Sequence, residues 1–232
     1  MEEQGPDRRW IVLAVFAVVA IGIVAAVLIA NGGGSDNSSD SSSSSTEAST
    51  GGCKQVDKPK PKKVSFDKPS EVLKPGEAAT AVVKTSCGTF EIALDTKRAP
   101  KTANSFAFLA EEGFYDDLTF HRVAPGFVIQ GGDPLGNGLG GPGYTVDEKP
   151  PANLAYTKGV VAMAKSSADP PGRSGSQFFV VTAPDAGLPP EYAVAGKVSK
   201  GFPVVKRIEA LGTPAEKPKQ TVLIEEVSIE RE

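Results

Sequence analysis

Histidine and cysteine are scarce in this chain of 232 residues, which holds one of the first and two of the second. A zinc site built from both types, such as Cys₂His₂, is excluded on supply alone, and no metal is expected. An excess of either charge is missing too. Twenty-five basic and 28 acidic residues leave a formal net charge of −3, which gives no reason to expect nucleic acid as a partner. A hydrolase nucleophile elbow, G-x-S-x-G, is absent as well, so Ser174 and Ser176 beside His121 do not add up to a hydrolase.

Charge is lacking altogether between Trp10 and Ala30. A helix of that length, at ~1.5 Å per residue, spans the ~30 Å hydrocarbon core of a bilayer. Arg8 and Arg9 precede the segment, and no Lys or Arg follows it until Lys54. The positive-inside rule then makes residues 1–9 a cytoplasmic tail and 10–30 a transmembrane helix, with the rest outside. A cleaved signal peptide is the competing reading; its apolar region usually runs only ~7–15 residues, and the small-residue exit here is poor.

Residues 31–77 read as a linker ahead of a domain at 78–232, a length that suits one domain with its own core. Asn31 to Gly52 is almost entirely Gly, Ser, Asp, Asn and Thr, a flexible tether. Lys54 to Lys74 turns basic and is stiffened by Pro59, Pro61 and Pro69. It reads as a solvated, semi-rigid spacer, with attraction to anionic lipid or wall polymer as the functional alternative. Cys53 and Cys87 are the only thiols. Outside the membrane a bridge from the spacer to the first strand is expected. Two unpaired thiols, or a lipid-anchored Cys53 lacking a lipobox at 49–52, are the alternatives.

From Ala78 the pattern becomes globular. Strands are expected at 81–85, 89–94, 159–163, 177–181, 193–198 and 221–229. Ala99-Pro100 opens a helix, because proline suits the first helical position. Ala103, Phe106, Ala107 and Ala110 recur at helical spacing, Gly113 closes the helix, and a second helix is expected at 204–211. Many short strands, two helices and Gly/Pro turns predict a mainly β chain folded as an antiparallel barrel. Gly136-Asn-Gly-Leu-Gly-Gly141 spells the dinucleotide fingerprint, but no βαβ unit surrounds it and Pro142 follows at once. It reads as a mobile surface loop.

The chain is organised around Phe120 to Asp133. Phe120–Val123 alternates as a half-buried strand, Pro125-Gly126 turns, and Phe127–Ile129 resumes the strand. One guanidinium, one amide and an aromatic ring are thereby gathered at a hairpin. The stretch matches F-H-R-x-x-P-x-F-x-x-Q-G-G-D at every fixed position, and Gly175-Ser-Gln-Phe-Phe-Val-Val-Thr182 follows it. On these two motifs the chain, from about Ala78 onward, resembles the cyclophilin family of peptidyl-prolyl isomerases.

That resemblance implies a closed eight-stranded barrel capped by a helix at each end, and isomerisation of Xaa-Pro bonds without a cofactor. It makes Arg122 the catalytic residue, with Gln130 holding it and the substrate backbone. Phe127, Val128, Phe179 and Leu188 would form the proline pocket, while Ala164, Lys165 and Gln177 line the adjoining groove. Tyr192 stands where many members carry His. His121 is grouped with the substrate-binding residues, as a packing and hydrogen-bonding neighbour and not as an acid or base. Phe178 should point away from Phe179, into the core. Gly187 precedes Leu188 where many members carry a Trp that contacts cyclosporin, so weak inhibition by that drug is expected.

These residue types suit the reaction. The barrier of ~18–20 kcal/mol comes from amide resonance, so nothing need be bonded or cleaved. An apolar pocket can grip the ring while a fixed donor favours the twisted amide. The expectation is a monomeric, single-pass cell-membrane isomerase acting outside the cytoplasm on proline-containing polypeptides. A non-catalytic proline-peptide binding module or holdase is the rival.

Overall fold

Alternation of apolar and polar side chains sets strands such as the first, unbroken apolar runs set the central ones, and a proline sets the first helix. The computed structural model describes residues 52–231. Along it run β1 (Ala79–Thr85), β2 (Gly88–Leu94), α1 (Pro100–Glu111), β3 (Leu118–Thr119), β4 (Arg122–Ala124) and β5 (Val128–Gly131). They are followed by β6 (Val146–Asp147), β7 (Val160–Met163), β8 (Arg173–Ser174), β9 (Phe178–Val181), β10 (Val194–Lys200), α2 (Phe202–Glu209) and β11 (Leu223–Arg231). In β1, Ala81 and Val83 are buried while Lys84 faces solvent, as period-two patterning requires. α1 begins on Pro100 and buries Ala103, Phe106, Ala107 and Ala110. The helix packs against β10 and β11, whereas α2 packs against β2, β4 and β5.

Nine strands form one curled, half-barrel sheet in the order β3-β11-β1-β2-β10-β7-β9-β5-β4, and β6 pairs with β8 apart from it. This differs from the closed barrel of eight that the resemblance implies. The difference lies at Phe120-His121, the dipeptide between the two edge strands. Phe120 N–H donates to the Val222 carbonyl, the next residue before β11, but Val123 N–H donates to the Glu216 carbonyl in the α2–β11 connection. The stretch thus changes partner at His121, so it counts as two strands, and His121 sits at the break rather than in a strand. β5 likewise begins at Val128, leaving Phe127 in the turn. Phe178 anchors the core edge-on against Phe106 and Phe120, with ring centroids 5.4 and 5.9 Å away.

The segment read as a solvated spacer is laid along the domain. Cys53, Val56, Pro59, Lys62, Phe66, Pro69 and Val72 are half-buried, and every residue between them is exposed. That spacing is close to three, the repeat of polyproline II, whose backbone groups stay free for lateral bonds. Lys62 N–H donates to the Pro134 carbonyl and Phe66 N–H to the Pro142 carbonyl, both at 2.8 Å. Phe66 meets Phe108 edge-on at 5.2 Å. The Asn104 carboxamide accepts from the N–H groups of Val72 and Leu73 and donates to the Ser70 carbonyl. Cys53 and Cys87 are bridged, with Cys87 buried in the β1–β2 turn and not in the strand. Among the described residues no helix is long and apolar enough to cross a membrane; Trp10–Ala30, where one is expected, lies outside them.

Candidate functional site

A pleated sheet turns successive side chains to opposite faces. Across β4, β5, β9 and β7, one face carries Val123, Ile129, Phe178, Val180, Val161 and Met163, all members of the main core. The other face carries a cross-strand row in which Arg122 pairs with Gln130, Gln130 with Phe179 and Phe179 with Ala162. Phe178 and Phe179 do point oppositely, as expected.

On that outer face a second apolar cluster forms, separate from the main core. Val128 and Phe179 are buried in it, and Phe127, Ala164, Leu188 and Tyr192 pack half-buried around them. The Tyr192 ring stands edge-on to Phe179 at 5.5 Å and to Tyr156 at 5.9 Å. Tyr156 is a residue that sequence reasoning misses. Its hydroxyl donates to the Tyr192 carbonyl at 2.6 Å and accepts from the Tyr192 N–H at 2.9 Å, stapling that loop to the cluster. Burial pushes the Tyr156 hydroxyl up to about 12, so it stays a neutral donor across the physiological range. Phe127 is set by its own carbonyl, which accepts from Thr182 N–H at 2.9 Å. The turn before it is held by the Glu209 carboxylate, which accepts from Gly126 N–H at 2.8 Å.

Arg122 stands at the rim, its guanidinium 5.7 Å from the Phe127 ring centroid. Its Nη1 donates to Gln130 Oε1 at 3.2 Å, and its Nε donates to Glu216 Oε2 at 2.7 Å. Gln130 Nε2 donates onward to Gln177 Oε1 at 3.0 Å, and Gln177 Nε2 to the carbonyls of Gly138 and Gly140. The loop expected to be mobile is therefore tied down, for the Asp133 carboxylate also accepts from the N–H groups of Leu135, Asn137 and Gly138. A Cβ on Gly140 would lie 2.1 Å from Asp133 Oδ1, which is why glycine is needed there.

Glu216 is missed by sequence reasoning too. It lies 94 residues from Arg122, and nothing local in Thr213-Pro-Ala-Glu216 points to it. Its φ is +57°, a left-handed backbone that costs a non-glycine residue about 1–2 kcal/mol. The ion pair it makes is 32% and 44% exposed on its two side chains. Such a pair stabilises by only about 0–1 kcal/mol.

Two expected residues are placed differently from the rest. The Lys165 side chain is only 6% exposed and its ammonium is held by Glu191 at 3.2 Å and the Asp169 carbonyl at 3.1 Å. It lies 5.6 Å from the Tyr192 ring, bracing that ring more than opening onto a groove. His121 is buried outside the apolar cluster, and its Nδ1 has no hydrogen-bond partner. Burial holds it below the ordinary histidine range, against the pull of the Asp133 carboxylate. Among the described residues no group of three His, Cys, Asp or Glu side chains converges as a metal site would require.

The chain is similar to known proteins. The sequence profile described as cyclophilin type peptidyl-prolyl cis-trans isomerase/CLD matches residues 80–229. Peptidyl-prolyl cis-trans isomerase-like 1 of Neurospora crassa is 39% identical over 160 residues, covering 67% of this chain and 96% of the relative. Peptidyl-prolyl cis-trans isomerase B of Streptomyces anulatus is 40% identical over 174 residues, covering 66% and 98%. The fold is similar to a crystal structure of a Cryptosporidium parvum cyclophilin type peptidyl-prolyl cis-trans isomerase in the presence of the dipeptide Ala-Pro. That match has a TM-score of 0.61 and 31% identity, and covers 65% of this chain and 98% of the other.

Proposed function

The chain belongs to the cyclophilin-type peptidyl-prolyl cis-trans isomerases, and from that membership we propose that Arg122 drives the isomerisation with a directed hydrogen bond. The observation that carries this is a guanidinium fixed at the rim of an apolar cluster that faces away from the main core. A prolyl ring docks on Phe127, Val128, Phe179 and Leu188, leaving its amide at the rim. The neighbour from Cryptosporidium was solved in the presence of Ala-Pro, a ligand of that chemistry. As the amide twists, the prolyl nitrogen pyramidalises and its lone pair becomes an acceptor. A preorganised N–H aimed there favours the twisted state over the planar one. Gln130 and Glu216 occupy Nη1 and Nε, and Nη2 has no partner among the described residues.

The isomerase acts, in this reading, on Xaa-Pro bonds of proteins folding outside the cytoplasm, held at the membrane by residues 10–30. The uncharged run after Arg8-Arg9 supports that placement, and so does a disulfide, which persists in oxidising compartments.

Turnover and binding of one Xaa-Pro peptide by the protein and its Arg122→Lys and Arg122→Ala variants test the mechanism. Loss of one preorganised donor costs ~10²–10³ in rate. The Lys variant is expected to fall nearly as far as the Ala variant, since one flexible ammonium cannot replace a planar fork. Peptide affinity should change far less, because the apolar cluster is untouched. Near-normal turnover in the Lys variant refutes the directed bond; near-normal turnover in the Ala variant refutes the site.

A further inference from the structure

Arg122 is gripped from two sides by residues of different origin. Gln130 comes from the adjacent strand, eight residues away, and takes Nη1. Glu216 comes from the α2–β11 connection and takes Nε at 2.7 Å. The connection is itself tied to the strand that carries the arginine, because the Val123 N–H donates to the Glu216 carbonyl at 2.9 Å. Glu216 N–H in turn donates to the Thr213 carbonyl at 2.8 Å, and the Thr213 hydroxyl to the Lys217 carbonyl at 2.8 Å. The carboxylate is therefore on a braced turn, in register with β4.

Stability does not account for a glutamate at this position. Its backbone is in the left-handed region, where glycine would sit without strain, and a half-exposed ion pair does not repay that strain. Charge does not account for it either. A groove working through net positive charge would be weakened by a carboxylate bound to the arginine at its rim. Placement does account for it. A guanidinium is planar, so acceptors on Nε and Nη1 together define its plane and block rotation about the Cδ–Nε bond.

We propose that Glu216 is a positioning residue for Arg122, holding the guanidinium plane so that Nη2 is the donor offered to the prolyl nitrogen. The inference rests on Arg122 being the catalytic group. It also makes the α2–β11 connection part of the isomerase site, although that connection adds no residue to the apolar cluster.

The test uses the full chain with Glu216→Gly, Glu216→Gln and Arg122→Ala. Three quantities are read: the on-enzyme isomerisation rate of a bound Xaa-Pro peptide by exchange NMR, the peptide Kd, and the Arg122 Nε–H resonance. Glu216→Gly removes the carboxylate and relieves the backbone strain, so it should unfold no more easily than the parent protein. Its on-enzyme rate should nevertheless fall roughly tenfold to a hundredfold, as small misplacements of a catalytic group do. Its Kd should stay within about twofold, because the apolar cluster is unchanged, and its Nε–H signal should lose protection from solvent exchange. Glu216→Gln keeps an acceptor and should keep most of the rate together with the Nε–H signal. A parental rate in Glu216→Gly while Arg122→Ala is inactive overturns the positioning role and leaves the site standing. Loss of rate in Glu216→Gln with the Nε–H signal intact also overturns it, since charge and not placement would then matter. A parental rate in Arg122→Ala removes the site and this inference with it.

Discussion

Neighbouring residues on a strand live in different surroundings, and those surroundings set the roles of the residues around Arg122. Phe178 is fully buried among Phe106, Tyr115 and Phe120, so its role is to hold the core of the curled sheet. Phe179, one step along, meets Tyr156 and Tyr192 in the second apolar cluster on the outer face. His121 is buried at the strand break, and burial depresses its pKa. Its effect on stability therefore has a definite sign. Below the ordinary histidine value of ~6.5 the unfolded chain takes up a proton that the folded chain refuses. The stabilising contribution is complete above that value and is lost as pH falls through it toward the folded pKa. Asp147 and Asp169, held below the usual carboxylate value by hydrogen bonds from Arg173 and from Ser166 respectively, lose their contributions only at lower pH. Urea unfolding at about pH 7.5 and 5.5 should show a clear loss in the parent protein and a smaller one in His121→Gln. Equal losses in both would show that His121 is not the group titrating.

Among the elements, the strap from Cys53 to Val72 does most that was not expected of it. It runs from the β1–β2 turn past Pro134 and Pro142 to α1, and its Phe66 packs on the core. Pro134 and Pro142 flank the loop whose Gly138 and Gly140 carbonyls hold Gln177, so the strap braces the far end of the chain of amides that reaches Arg122. The bridge between residues 34 apart is then a clamp on ordered structure. Chain entropy alone gives such a bridge roughly 4 kcal/mol as an upper figure, and about 2–4 kcal/mol is the usual range. Reduction with a thiol should lower the denaturant midpoint accordingly, and Cys53→Ser should reproduce the shift without reductant. Two titratable thiols in the native protein before reduction would show that no bridge exists. An unchanged midpoint on reduction would show that the strap holds without its staple.

For the whole molecule, one curled sheet does two jobs because its faces are independent. Packing on the inner face stabilises the fold, and the outer face keeps a small apolar cluster with a cation at its rim. Such a domain can work at the end of a tether without its site being altered. The proposed arrangement has that tether leave a membrane at Ala30 on the side opposite Arg8 and Arg9. Protease added to intact cells should then remove the domain and leave the anchor fragment in the membrane. A domain protected until the cells are opened, or one released without protease, would overturn that topology.

Most of the fold was legible in the sequence because it is locally encoded. Alternation or short apolar runs marked β1, β2, β7, β9, β10 and β11, and Pro100 with a 3.6-residue apolar repeat marked α1. The motif around Arg122 named the cluster because a hairpin and its adjacent strands place Gln130 and Phe179 in one row. The short strands β3, β6 and β8 were missed, since two residues carry no period. The strap was misread because burial at every third residue escapes a search for periods of 2 and 3.6, and lysine and proline look solvated wherever they stand. Glu216 beside Arg122, Tyr156 beneath Tyr192 and Gln177 against the glycine loop were beyond reach for one reason. Each joins residues far apart in the chain, and only the register and curl of the sheet decide which distant side chains meet.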